Sequence, residues 1–193
     1  MTAAGELLVV RHGETEWSRS GRHTGVTDVA LTEAGRREAR ALRGLLAGFQ
    51  IARSYVSPSI RATETARLAG IDAAVDDDLV EWDYGDYEGL TTAQIREQRP
   101  QWTIWSGDPP GGESAADVSR RADRVIERVH PALADGDVLV IGHGHFGSAL
   151  TARYLQMPIE WGGCFALQPA RLSVLGSLHE RPAMHGWNIP PAP

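Results

Sequence analysis

Two short apolar runs each deliver a histidine. Leu7-Leu8-Val9-Val10 leads into Arg11-His12-Gly13, and Val138-Leu139-Val140-Ile141 leads into Gly142-His143-Gly144. A neutral imidazole nitrogen is a nucleophile, and an arginine fork matches the oxygens of a phosphate. Arg61, in Ser57-Pro58-Ser59-Ile60-Arg61, adds a second fork. It falls at the start of a predicted helix, where a cation is poorly placed unless an anion joins it. An imidazole beside two guanidiniums resists protonation, because a proton would add like charge. Such a set suits a phosphoryl group, whose transfer asks for positioning and for charge stabilisation over three oxygens. Glu81, in Leu79-Val80-Glu81-Trp82-Asp83-Tyr84, offers a carboxyl group to move a proton. Asp83, Asp86 and Glu88 stand near it as competitors or as a solvated face.

The elements that must position these groups follow from pattern. Each apolar run before its glycine reads as a strand buried on both faces. In an open parallel sheet, ligands sit at the carboxyl ends of strands, so His12 and His143 can face one pocket. Thr32 and Glu33 open a helix whose apolar stripe is Ala39, Leu42, Leu45, Leu46 and Phe49. Tyr55–Ser57 reads as a strand, Ser59–Ala69 as a helix, and Val75 as part of another strand. Helices are predicted over Thr91–Gln98, Ser114–Leu133 and Phe146–Leu155, and a last strand over Leu172–Leu178. Strands alternating with helices give an α/β three-layer sandwich with a mostly parallel central sheet. The whole of 1–193 reads as one domain, with a loose tail from Asn188 to Pro193.

Composition bounds the chemistry. The 193 residues carry a net charge of −6, which argues against nucleic acid or an anionic membrane as a partner. All 19 basic residues are arginine, so every mechanism that needs a lysine is removed. Cys164 is the single cysteine and precludes an internal disulfide. No apolar run approaches the length of a membrane span, and Met1–Glu6 lacks the marks of a signal peptide. The expected setting is the cytoplasm, with a monomer or homodimer and no cofactor or metal. Asp76-Asp77-Asp78 reads as a polar turn and Glu113-Ser114 as a helix cap. Trp82, Trp102 and Trp105 are candidates to wall the mouth of the site.

Val9-Val10-Arg11-His12-Gly13-Glu14-Thr15-Glu16-Trp17 resembles the signature of the histidine phosphatase superfamily, the phosphoglycerate mutase-like fold. The resemblance continues through Gly21–Gly25, Asp28, Leu31–Gly35, Ser57–Ala66, Leu79–Gly85, Gly111–Ser114 and Gly142–Gly144, in the family's order. It implies that His12 is the nucleophile of a phosphohistidine intermediate, and that Arg11, Arg61 and His143 clamp the phosphate. It implies that Glu81 protonates the leaving oxygen and then activates water. Ser18, Thr24, Gly25, Tyr84 and Gly144 match positions near the phosphate or the rest of the substrate. His145 joins that set, contacting substrate or supporting Glu81.

The superfamily holds phosphatases and cofactor-dependent phosphoglycerate mutases. The mutases carry a longer insertion after the catalytic glutamate, with a lysine and an arginine pair. Here only Arg96 and Arg99 lie between Glu81 and Glu113. Ser18 stands where they have asparagine, and His145 where they have the asparagine of His-Gly-Asn. The chain is more similar to the phosphatase branch, which includes mycobacterial acid phosphatases and sedoheptulose bisphosphatase-like enzymes. The expected activity is metal-independent hydrolysis of a small phosphorylated metabolite, a sugar phosphate being one candidate, at mildly acidic to neutral pH. The alternative is mutase-type phosphoryl transfer. A zinc hydrolase built on His12, Glu81, His143 and His145 is a further rival, disfavoured by arginines that would repel the metal. A binding protein on the same fold is the last, though the full catalytic set is present.

Overall fold

The computed structural model describes residues 5–191. In chain order it contains β1 (Leu7–Arg11), α1 (Glu16–Ser20), α2 (Glu33–Leu46), β2 (Ile51–Val56), α3 (Ile60–Ala69), β3 (Ala74–Val75) and α4 (Thr92–Gln98). Then come α5 (Ala115–Val129), β4 (Asp137–Gly142), α6 (Gly144–Tyr154), β5 (Leu172–Leu178) and β6 (Arg181–Ile189). They form one six-stranded sheet in the order β3-β2-β4-β1-β5-β6. The pairs β3-β2, β2-β4 and β4-β1 are parallel, whereas β5 runs antiparallel to both β1 and β6.

The alternation of side chains along a strand sorts the core into two layers. Leu7 and Val9 of β1, with Val138 and Val140 of β4, face Val118, Ala122 and Val125 of α5 and Phe146, Ala149 and Leu150 of α6. Leu8, Val10, Leu139 and Ile141 face Leu42 and Leu46 of α2 and Ala62, Ala66 and Ala69 of α3. Helices on both faces explain why the central strands are apolar throughout rather than alternating. The parallel register, Val10 opposite Ile141 and Arg11 opposite Gly142, brings the ends of β1 and β4 level, with Val56 of β2 beside Ile141.

Several boundaries depart from the pattern reading. The helix expected to run to Leu133 stops at Val129 and continues as a 3-10 turn over His130–Ala134, because Pro131 cannot donate to the helical ladder. Residues 16–20, to which the pattern assigns no element, form α1, capped by reciprocal bonds between Thr15 and Ser18. Leu172–Leu178 is not the last strand. The tail expected to be loose from Asn188 instead completes β6, with Ile189 paired to Leu172 and the Asn188 amide donating to Ser173 Oγ at 3.1 Å. Pro182 and Gly186 hide this strand from a propensity reading, but an edge strand tolerates both. Ala192 and Pro193, and Met1–Ala4, lie outside the described residues.

The turn after β1 is seated on α2 by two glycines. A Cβ at Gly13 would lie 2.4 Å from the Gly35 carbonyl oxygen, and one at Gly35 would lie 2.2 Å from the Glu14 oxygen. The Thr32 amide donates to that same Glu14 oxygen at 2.9 Å, so the start of α2 and the residues after His12 move together. Gly35→Ala should therefore lower stability by about 1–3 kcal/mol, the usual cost of overpacking. Thermal unfolding checks this, and an unchanged Tm would mean that the two segments separate freely.

Candidate active site

The end of β1 and the start of α6, which follows β4, open on a cavity of about 380 Å³. Arg11, His12, Ser18, Thr24, Glu81, Tyr84, Gly144 and His145 line it. Arg61, 1% exposed, stands behind that lining, whereas His143, equally buried, lines a neighbouring cavity of about 490 Å³ with Ser57, Ser59 and Glu81, which borders both. The His12 and His143 rings are 5.2 Å apart, edge to face.

His12 is oriented by its own turn. Its Nδ1 lies 2.7 Å from the Gly13 carbonyl, which can only accept, so Nδ1 carries the proton and Nε2 keeps its lone pair. Burial first, and then the charges of Arg11 and Arg61, hold the His12 pKa well below the ordinary histidine value. The sequence reading credited the guanidiniums alone, but burial is the larger cause. His143 is depressed in the same way, by burial and then by Arg61 and His12. Its Nε2 lies 2.8 Å from Ser57 Oγ and 3.4 Å from Ser59 Oγ, and its Nδ1 is buried with no partner. Ser57 follows β2 directly, as His12 and His143 stand at the ends of β1 and β4. That strand-end position was the available signal for this missed residue.

The two arginines are anchored rather than free. Arg11 donates from Nη1 to the Leu167 carbonyl at 2.6 Å. It also packs against the start of α6, where a Cβ on Gly144 would lie 3.1 Å from its Cζ. Arg61 spends its terminal nitrogens on the carbonyls of Thr27, Thr24 and Gly25 at 2.9–3.1 Å, so its fork holds a loop. The Nε of each arginine is buried without a partner. Among the described residues no carboxylate forms an ion pair with either one. Buried guanidiniums without counter-charge are costly, and an anion at the cavity floor would relieve them.

Glu81 sits opposite on an irregular segment. Its Oε1 accepts from the amides of Trp82 at 2.9 Å and Phe146 at 2.7 Å, and its Oε2 accepts from the His145 amide at 3.0 Å. A carboxylate oxygen has two lone-pair sites, so Oε1 is fully used and Oε2 has one left for a proton. No group of three His, Cys, Asp or Glu side chains converges as a metal site would among the described residues.

One part of the cavity wall is aromatic and neutral, formed by His23, Tyr84, Trp105 and His145. Burial, then the charge of Glu81, raises the Tyr84 pKa well above its ordinary value, so its hydroxyl keeps its proton. It meets His145 Nδ1 at 2.6 Å. With Tyr84 donating, His145 carries its own proton on Nε2. Burial, then Arg11, lowers the His145 pKa to about 4. His23, absent from the expected set, also lines the cavity, packs on Tyr84 at 4.7 Å and is lowered to about 4 by burial and by His145.

Other expected residues fall elsewhere. Gly25 lines the neighbouring cavity, because its amide donates to both Glu88 oxygens and its carbonyl accepts from Arg61. Ser18 reaches the cavity, but its hydroxyl is engaged with Thr15. Of the three tryptophans, only Trp105 lines the cavity. Trp82 is wholly buried behind it, 5.5 Å between ring centres, and Trp102 packs on His23 and Tyr87. Trp187 of β6 braces the wall from outside, on Phe165 and the Ala166 carbonyl. Asp78 pairs with Arg124 and Arg128 on the surface. Ser114 caps α5, while Glu113 pairs with Arg121.

A sequence model of the histidine phosphatase superfamily (branch 1) matches residues 7–190. An acid phosphatase of Mycobacterium tuberculosis is 44% identical over 176 residues, covering 90% of this chain and 87% of that protein. A sedoheptulose 1,7-bisphosphatase of Saccharomyces cerevisiae is 36% identical over 172 residues, covering 72% of this chain and 63% of that protein. The solved structure of a Mycobacterium tuberculosis open reading frame product superposes with a TM-score of 0.95 at 40% identity, covering 97% of this chain and 99% of that one. No helix among the described residues is long and apolar enough to cross a membrane.

The neutral histidines carry a pH dependence of stability. Below about pH 6.5 an unfolded histidine binds a proton that the folded His12, His23, His143 and His145 exclude, so unfolding free energy falls as pH drops. For His23 and His145 this continues to about pH 4, and above pH 6.5 all four contributions are complete. Denaturant titrations should show that slope, and His23→Gln should reduce it by up to about 1.4 kcal/mol per pH unit. An unchanged slope in the variant would mean that His23 takes up its proton in the folded protein.

Proposed function

The chain belongs to the histidine phosphatase superfamily (branch 1), and from that premise we propose a phosphoric monoester hydrolase that works through a phosphohistidine on His12. The observation that carries this reading is the floor of the cavity. Two buried guanidiniums without an ion-pair partner among the described residues, and an unpartnered His143 nitrogen, stand around a neutral, tautomer-fixed His12. That is an anion site with a nucleophile inside it.

The residues divide the reaction as follows. The phosphoryl oxygens lie among Arg11, Arg61 and His143, which stabilise the charge spread over them during transfer. His12 Nε2 attacks phosphorus as the bond to the ester oxygen breaks. Glu81 gives that oxygen its proton from Oε2, and the alcohol leaves. A water then attacks the phosphohistidine while Glu81 takes its proton, and phosphate departs with His12 restored. Glu81 faces the cavity beside His145, and acid and leaving group meet there.

The rim suits a small polar leaving group. His145 offers an N–H donor fixed by Tyr84. The Thr24 hydroxyl, which donates to the Arg22 carbonyl, offers an acceptor oxygen, and Arg22 a positive charge. Gly144 allows Arg11 its close approach to α6. A mutase must also hold a second acidic group and exclude water. Arg96 and Arg99, the cations nearest in sequence for that task, donate instead to Trp102 and to Tyr87 and Asp108, and neither lines the cavity. We therefore favour hydrolysis of a small phosphorylated metabolite such as a sugar phosphate, in the cytoplasm.

Phosphate release from a panel of phosphomonoesters, with EDTA present, tests the reading. His12→Ala should lose on the order of 10³-fold or more of the turnover. The wild-type protein, quenched during turnover, should yield an acid-labile, base-stable phosphoryl adduct that the variant lacks. Release that persists in His12→Ala, or that EDTA abolishes, would overturn it. His145→Ala should raise KM for hydroxylated leaving groups, and identical kinetics across the panel would remove His145 from the substrate set.

A further inference from the structure

Glu81 lies on a segment with little regular structure. Asp77–Leu79 form one 3-10 turn, and Val80–Tyr84 follow without helix or strand. A proton donor needs a fixed place, and no ladder of hydrogen bonds supplies it here. Arg121 of α5 does. It is 5% exposed and does not line the cavity, yet all three of its guanidinium nitrogens are engaged around Glu81. Nη1 donates to the carbonyls of Asp78 at 2.9 Å and Val80 at 2.6 Å, and Nη2 reaches that of Glu81 at 3.3 Å. Nε and Nη2 grip the Glu113 carboxylate at 3.1 and 2.7 Å.

Glu113 completes the hold from the other side. Its Oε2 accepts from the Asp83 amide at 3.1 Å, its amide donates to the Asp83 carbonyl at 3.0 Å, and its carbonyl accepts from Trp82 Nε1 at 2.9 Å. The pair therefore binds the backbone on both sides of Glu81. The Arg121 Cζ also lies 4.3 Å from the centre of the Phe146 ring, and the Phe146 amide is one of the three that cradle the Glu81 carboxylate. Val118, Ala122 and Val125 show that the rest of this face of α5 is apolar. A hydrophobic residue would fill the face without the desolvation that a buried ion pair costs. What it would not supply is donors for three carbonyls in an irregular segment.

We propose that Arg121 and Glu113 are a positioning pair that sets Glu81 against the leaving oxygen; this rests on the reading of Glu81 as the proton donor. Arg121 lines neither cavity, and the Glu113 carboxylate, at the edge of the neighbouring one, is taken up by Arg121 and the Asp83 amide. The pair acts on one step, protonation of the departing alcohol, and leaves the phosphate clamp as it is.

The test compares kcat/KM, which reports events up to departure of the first product, for glycerol phosphate and p-nitrophenyl phosphate. The alkoxide needs the proton, whereas the nitrophenolate leaves without it. Arg121→Met should lose roughly 10- to 100-fold on glycerol phosphate, the scale expected of a misplaced reacting group, and under about threefold on the nitrophenyl ester. Glu81→Gln should show the same selectivity. Glu113→Gln, which keeps the guanidinium and its carbonyl contacts, should show it in weaker form, and it carries the test if Arg121→Met does not fold. Equal losses on both esters, or none, in the Arg121 and Glu113 variants while Glu81→Gln stays selective would overturn the proposal and leave the pair a purely structural one. A Glu81→Gln enzyme without selectivity would instead bring down the proton-donor reading, and this proposal with it.

Discussion

Buried positive charge that meets no carboxylate in an ion pair among the described residues is what the site is organised around. Arg11 and Arg61 stand at the carboxyl ends of β1 and just beyond β2, and each keeps a buried Nε with no acceptor. The fold tolerates this by anchoring the rest of each guanidinium to backbone carbonyls, of Leu167 in one case and of residues 24, 25 and 27 in the other. Carbonyl dipoles stabilise a cation without neutralising it. A carboxylate in their place would have lowered the cost of burial and filled the site. The same charge, added to burial, keeps His12 and His143 unprotonated, so the lone pair on His12 Nε2 stays available.

Attack and proton transfer are supported by different kinds of structure. The phosphate side sits on three parallel strand ends in register, where the sheet itself fixes His12, His143 and Ser57. The leaving-group side has no strand beneath it. Glu81 is held by amides at the start of α6 and, behind them, by a buried ion pair reaching over from α5. Helix α6 joins the two halves. Its first residues follow His143, press on Arg11 through Gly144, and donate to Glu81 through His145 and Phe146. A displacement of that helix start would move clamp and acid together.

These two halves were not equally legible in the sequence. Strand-end histidines announce themselves, because an apolar run closed by Gly or Arg-His-Gly has few other readings. The caps at Thr32 and Ser114 are local chemistry and appear where the pattern put them. Whatever depended on distant partners stayed hidden. Nothing near Gly25 says that Glu88 will take its amide, nor near Arg61 that its fork will hold a loop rather than lie free. Trp82 looks like a lid residue until its indole is seen donating to Glu113 behind the cavity. Strand β6 carries proline and glycine, and only its pairing with β5 makes it a strand. Arg121 is one of several arginines on an amphipathic helix, and its burial depends on carbonyls some forty residues earlier.

The neutral wall decides what kind of group can leave. His145 and His23 both titrate near pH 4, so over most of the acid range they add no charge beside Glu81. A protonated imidazole there would draw the substrate dianion away from the arginines and would compete with Glu81 for the leaving oxygen. Kept neutral, His145 and His23 can offer only directional contacts, a fixed N–H from His145 beside the faces of Tyr84 and Trp105, while Arg22 brings a positive charge to the rim. The charges of Arg11 and Arg61 stay at the floor. A leaving group is distinguished at the wall by the hydrogen bonds it can accept, and its identity is decided separately from the step that all phosphomonoesters share.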